Sequence, residues 1–127
     1  NLRKDIIAFT LCSTFINQEK IKKILDDKEK VYIIKSISIM LAEAMTDVLH
    51  YFIRRDMNIA EKELDRKKFR GIRYSPGYPA IDISVNKDIF ELLGGNDIGT
   101  DITESFMFEP ESSVASLVLH NPKAFHI

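Results

Sequence analysis

The sequence predicts a single α+β domain with antiparallel strands, and three observations lead there. A helical apolar pattern runs without Gly or Pro from Val31 to Ile53. Short apolar runs stand apart from it at Ile6–Ser13, Asp101–Phe108 and Val114–His120. The last two are separated by Glu109-Pro110-Glu111-Ser112-Ser113, whose turn chemistry predicts an antiparallel hairpin.

Each element follows from its own residues. Ile6–Ser13 is short and partly β-branched, as a buried strand is, and Cys12 within it reads as a small buried residue rather than a nucleophile. Asn17 can cap a helix over Gln18–Asp27, with Ile21, Ile24 and Leu25 on one side. The clearest element is a helix from Lys30 to Met57. Ile34, Ile37, Leu41, Ala44, Met45, Val48 and Phe52 form its apolar stripe, expected to face the core. Glu43, Asp47, His50 and Arg54 share the opposite side. Asn58–Arg70 carries mixed charges and reads as a solvated helix. Gly71–Pro79 reads as a rigid irregular loop, stiffened by Pro76 and Pro79 and freed at Gly77. Ser84 or Asn86 can then cap a helix over Lys87–Leu93, which Gly94-Gly95 ends. Met40, Met45, Phe106 and Phe108 read as core, and Glu104 as an exposed strand position. Asn121-Pro122 is a further turn, with Ala124–Ile127 opening another strand.

Composition bounds the function. With 127 residues, 45% hydrophobic and 29% charged, the chain has the profile of one globular domain. A net charge of −1 provides no field to recruit nucleic acid or an anionic membrane. The seven-residue run Ile6–Cys12 is far short of the roughly 20 residues a membrane helix needs. Cys12 is the only cysteine, so no internal disulfide can form, and a cytoplasmic location is the default expectation.

Two constellations could carry chemistry. The first is Arg73-Tyr74-Ser75-Pro76-Gly77-Tyr78-Pro79. Arg73 offers a planar fork suited to a carboxylate, and Tyr74 and Tyr78 offer faces for a purine or a cation. Gly77 allows close approach of backbone to a ligand. The same residues also suit a packed turn whose arginine makes an ordinary salt bridge, and both readings stand on the residues alone. The second is the polar helix face. Carboxylates and His50 there could ligate a metal, but only His120 and His126 remain to complete a site, so a solvated or salt-bridged face is simpler. No phosphate loop, zinc-type Cys/His spacing or nucleophile elbow is present.

Several segments, in order, resemble the activation domain of cobalamin-dependent methionine synthase. They are Leu41-Ala42-Glu43-Ala44 with Leu49-His50, Gly71-Ile72-Arg73, Pro76-Gly77-Tyr78-Pro79-Ala80, Ile89-Phe90-Glu91-Leu92-Leu93, Thr103-Glu104-Ser105-Phe106, Ser113-Val114 and Asn121-Pro122. The resemblance implies that residues 1–127 form one activation-domain-like module, a twisted antiparallel sheet packed with a long central helix and shorter helices. It also implies that the family's N-terminal part and C-terminal helices are missing. It further implies binding of S-adenosylmethionine and support for the reductive methylation of inactive cob(II)alamin to methylcobalamin, as part or subunit of a methyltransferase of methionine biosynthesis. Cobalamin would come from a partner domain or subunit, and the electron from flavodoxin or a flavoprotein reductase. Arg73 would grip the methionine carboxylate, Tyr78 would line the pocket, backbone groups of Tyr74, Ser75 and Gly77 would contact the ligand, and Glu43 would add a contact. The chain departs from the family at Lys67, where a glutamate is usual, and at Ala124-Phe125, where tyrosines are usual. The alternative expectation is a module that binds S-adenosylmethionine, or docks on a corrinoid protein, without supporting methyl transfer.

Overall fold

The computed structural model describes residues 6–24, 27–56 and 72–120. In chain order these form strand β1 (Ile6–Ser13), helix α1 (Gln18–Ile24), helix α2 (Lys28–Asp56), strand β2 (Ile72–Tyr74) and helix α3 (Val85–Leu93). A 3₁₀ turn over Gly95–Ile98 follows, then strands β3 (Asp101–Ile102), β4 (Phe108–Glu109) and β5 (Ser113–His120). The main sheet has the order β1-β5-β2, with β5 antiparallel to both neighbours. β3 and β4 form a small separate antiparallel pair.

The sheet sends alternate residues to opposite faces, and the two faces differ in composition. On one, Phe9, Leu11 and Ala115 meet Ile89 and Phe90 of α3 and Phe108 of β4. Ile89 has no exposed surface, and burial of such a side chain contributes about 1.5–3 kcal/mol. The Phe90 and Phe108 rings are tilted at 39° with centroids 6.5 Å apart, an attractive edge-biased geometry. The other face carries Thr10, Cys12, Val114, Ser116 and Val118, all buried. Helix α2 covers this face with Ser38, Ala42, Thr46, His50 and Arg54, which recur every fourth residue. Ser38, Ala42 and Thr46 are small, whereas His50 and Arg54 bring larger polar side chains into the same buried face. The Thr46 hydroxyl donates to the Ala42 carbonyl at 2.8 Å and so needs no partner from the sheet.

That arrangement corrects the expected core face of the long helix. The apolar stripe points away from the sheet: Ile37 is 49%, Leu41 52% and Val48 50% exposed. Met40 and Met45, expected in the core, are exposed as well, whereas Phe108 is buried and Phe106 half-buried. Periodicity identifies two faces, and packing against the sheet buries the one that carries Ser38, Ala42, Thr46, His50 and Arg54.

Two strand expectations also change. Ile72–Tyr74 is a strand rather than loop, because β5 offers its free edge and Ile72, Arg73 and Tyr74 pair with Leu119, Val118 and Leu117. Asp101–Phe108 is not one strand and does not pair with β5. It folds on itself, with the Thr103 N–H donating to the Met107 carbonyl at 2.8 Å and the Phe106 N–H to the Thr103 carbonyl at 3.0 Å. Phe106 takes a positive φ of 66°, which ends extended backbone there, and Glu104 lies in this turn. β5 pairs with β1 along its whole length, from Ile6 opposite His120 to Ser13 opposite Ser113.

Helix ends follow local chemistry. The Asn17 side chain accepts the Lys20 N–H at 3.0 Å, as expected of a cap. At α3, Ser84 occupies the cap position without using its side chain to cap. Asp82 accepts the Ser84 N–H at 2.8 Å, and hydrogen bonds from the Ser84 hydroxyl and backbone hold its carboxyl below the ordinary carboxylate value. Gly94 closes α3 in the left-handed conformation, with φ 64°. Cys12 is buried and unpaired. No described helix is long and apolar enough to cross a membrane. The expected helix over 58–70, the turn at 121–122 and the strand over 124–127 lie outside the described residues, as do Lys67, Ala124 and Phe125.

Candidate functional site

Pairing with Val118 places Arg73 on the α2 face of the sheet. Its side chain is only 6% exposed, and Nη1 lies 2.6 Å from Asp47 Oδ1. Nη2 lies 3.8 Å from Glu43 Oε2. Nη1 and Asp47 form a close ion pair, without the alignment of a directed hydrogen bond. Asp47 and Glu43, one helical turn apart, thus orient a buried guanidinium from the polar side of α2. The helix face and the loop arginine, far apart along the chain, meet here.

Beyond β2 the chain turns sharply. The Gly77 N–H donates to the Ile81 carbonyl at 3.0 Å and the Ile81 N–H to the Tyr78 carbonyl at 3.1 Å. Gly77 has φ 95°, yet a Cβ there would meet only Ile83, at 3.7 Å. Glycine is therefore required by conformation and not by lack of space.

This turn forms one side of a cleft of about 530 Å³, with Glu43, Ser75, Pro76 and Tyr78 among its lining residues. That size falls within the roughly 300–1,000 Å³ usual for small-molecule sites. Phe108, Val114 and Ala115 supply buried apolar surface, and Asn86, Thr103, Met107, Glu109 and Glu111 add polar and flexible groups to the lining. Tyr78 stands at the rim, 70% exposed. Arg73 lies beside the cleft and is joined to it through Glu43. Tyr74 pairs with Leu117 and so turns to the other sheet face. Gly77 shapes the turn without lining the cleft.

Sequence reasoning alone does not single out Glu109, Glu111, Asn86 or Thr103 as site residues. Glu109 and Glu111 carry only the turn chemistry around Pro110, Asn86 only a capping signal, and Thr103 only its place in a matched motif. Asn86 acts as a clamp. Its Nδ2 donates to the Phe106 carbonyl at 3.0 Å and fixes the turn that carries Thr103 and Met107. Asn86→Ala is expected to lower stability by about 1 kcal/mol, the net worth of one such bond, and to weaken any ligand held by that turn. Thermal unfolding and titration of one variant check both outcomes. An unchanged melting temperature would deny the clamp.

Residues 2–126 match the family described as vitamin B12 dependent methionine synthase, activation domain. The chain belongs to this family. Methionine synthase of Mycobacterium leprae (strain TN) is 29% identical over 104 residues, or 72% of this chain and 9% of that protein. A crystal structure of the MetH reactivation domain bound to AdoHcy superposes with a TM-score of 0.76 at 26% identity, covering 95% of this chain and 41% of that one. The activation-domain fold, an antiparallel sheet with one long and several shorter helices, is therefore shared. This chain spans only a small part of the length of the curated relative it matches.

Proposed function

We propose that the cleft binds S-adenosylmethionine and that this activation domain supports the reductive methylation of cob(II)alamin held by a partner domain or subunit of methionine synthase. The observation that carries the reading is Arg73: a buried guanidinium, held by Asp47 and Glu43, sits next to a cleft of suitable volume that Glu43 lines. Such a group matches the methionine carboxylate. Tyr78 can lie against the adenine or the sulfonium, and Ser75 and the backbone from Tyr74 to Gly77 can supply polar contacts. Glu43 lines the cleft and suits the cationic end of the ligand. Family membership and the AdoHcy-bound neighbour support the ligand class.

S-adenosylmethionine supplies a methyl group already activated by the sulfonium charge. The chain needs no general base, and its residues bind, orient and keep the methyl group accessible. The electron would come from flavodoxin or a flavoprotein reductase, in the cytoplasm. Calorimetric titration with S-adenosylmethionine should give saturable binding, and absence of binding rejects the reading. With a cobalamin-binding partner and a reductant present, methylcobalamin should accumulate. Binding without it would assign a binding-only module.

A further inference from the structure

The cleft has a marked charge asymmetry, of which the proposed function uses only Glu43. Three carboxylates, Glu43, Glu109 and Glu111, line it, and no lysine or arginine among the described residues does. They reach it from different elements: Glu43 from α2, Glu109 from β4, and Glu111 from the connection to β5. That connection is tied down at several points. The Ser112 hydroxyl donates to the Thr14 carbonyl at 2.6 Å, and the Thr14 N–H donates back to the Ser112 carbonyl at 2.9 Å. The Ser113 hydroxyl donates to the Pro110 carbonyl at 2.7 Å. Glu109 and Glu111 therefore project from anchored backbone, with their side chains exposed to solvent. The guanidinium of Arg73, to which the proposed function assigns the ligand carboxylate, pairs with Glu43 and Asp47, and Glu109 and Glu111 have no cationic partner among the described residues.

We infer that Glu109 and Glu111 determine specificity for the sulfonium form of the ligand, so that S-adenosylmethionine binds more tightly than the neutral thioether S-adenosylhomocysteine. The inference rests on the proposed function and deepens it. The two ligands share carboxylate, ammonium, ribose and adenine, and differ by one methyl group and one positive charge. A lining whose charged groups are all carboxylates discriminates on that charge, because its attraction for a unit charge is present in one ligand and absent in the other. Once the methyl group has left, the ligand loses that attraction, which favours release of the spent form.

The test compares dissociation constants for the two ligands, measured on the same protein by calorimetry. Wild type should prefer S-adenosylmethionine by on the order of tenfold at low ionic strength, as expected for partly exposed charges a few ångströms apart. Raising salt to about 1 M, where the screening length falls to about 3 Å, should shrink the ratio several-fold. Glu109→Gln with Glu111→Gln should bring the ratio towards one by weakening S-adenosylmethionine alone. Glu104→Gln, in an exposed turn and outside the lining, should keep the wild-type ratio. A ratio unchanged by both the double substitution and salt overturns the inference. Equal affinity of wild type for both ligands overturns it too, while leaving the proposed function intact. If wild type binds neither ligand, the proposed function itself has failed.

Discussion

Arg73→Ala should reduce affinity for S-adenosylmethionine by about 2–4 kcal/mol, roughly 30- to 1,000-fold, because the proposed function gives the arginine a charge-assisted bidentate contact to the ligand carboxylate. The expected effect on folding is smaller. Glu43 and Asp47 are 53% and 48% exposed, so solvent screens their attraction for the arginine and each pair contributes at most about 1 kcal/mol to stability. This difference separates two roles for one side chain. A ligand-gripping arginine loses far more binding free energy than folding free energy. An arginine that only ties β2 to α2 loses melting temperature with unchanged binding. Arg73→Lys should recover only part of the affinity, since a point charge cannot supply the parallel pair of donors. An affinity loss for Arg73→Ala below about 0.5 kcal/mol, within the range of an ordinary surface substitution, would reject the assigned role.

Gly95→Ala should destabilise the domain by about 1–3 kcal/mol, the usual cost of forcing atoms into a packed core. Gly95 is buried, and a Cβ built there overlaps the ring of Phe90. That ring cannot retreat freely, because it packs against Phe108 beneath Ile89 and Ala115. The position needs glycine for want of space, the reverse of Gly77. For a domain of this size the loss corresponds to a fall in melting temperature of roughly 4–12 °C. Combining Gly95→Ala with Phe90→Leu should cost less than the sum of the two single changes, because the smaller side chain vacates the volume that the methyl group needs. Additive losses would show that the ring is not the obstacle. Ligand affinity should change little in the stable fraction, since neither residue lines the cleft.

Legibility differs sharply between elements. β1 is readable to its limits, because Ile6–Ser13 is a continuous strand-forming run. The long helix is readable because no Gly or Pro interrupts it, although it begins two residues earlier than its periodicity suggests, at Lys28. Helix α3 and its glycine stop are visible for the same local reasons. β2 is hidden: three residues are too few to show alternation, and the strand exists only because β5, some forty residues later, presents an edge. The fold-back at Thr103–Met107 is hidden too, because Phe106 is among the residues least suited to positive φ and gives no turn signal. Of the candidate site, Glu43, Ser75 and Tyr78 are legible from the motifs that contain them, and all three line the cleft. Glu109 and Glu111 are legible only as parts of a connection.

By itself the sequence determined that the chain is α and β in one domain, where its helices lie, and, through ordered motifs around Arg73 and Gly77, its family. These are properties of local composition and spacing. The tertiary structure alone decided which face of α2 meets the sheet, which carboxylates hold Arg73, and that three glutamates from three elements share one cleft. Each of those depends on residues distant in the chain being brought within a few ångströms. Periodicity can say that a helix has two faces. Only packing against a particular sheet can say which of them is buried, and here the sheet buries the face of Ser38, Ala42, Thr46, His50 and Arg54 and leaves the more hydrophobic side exposed.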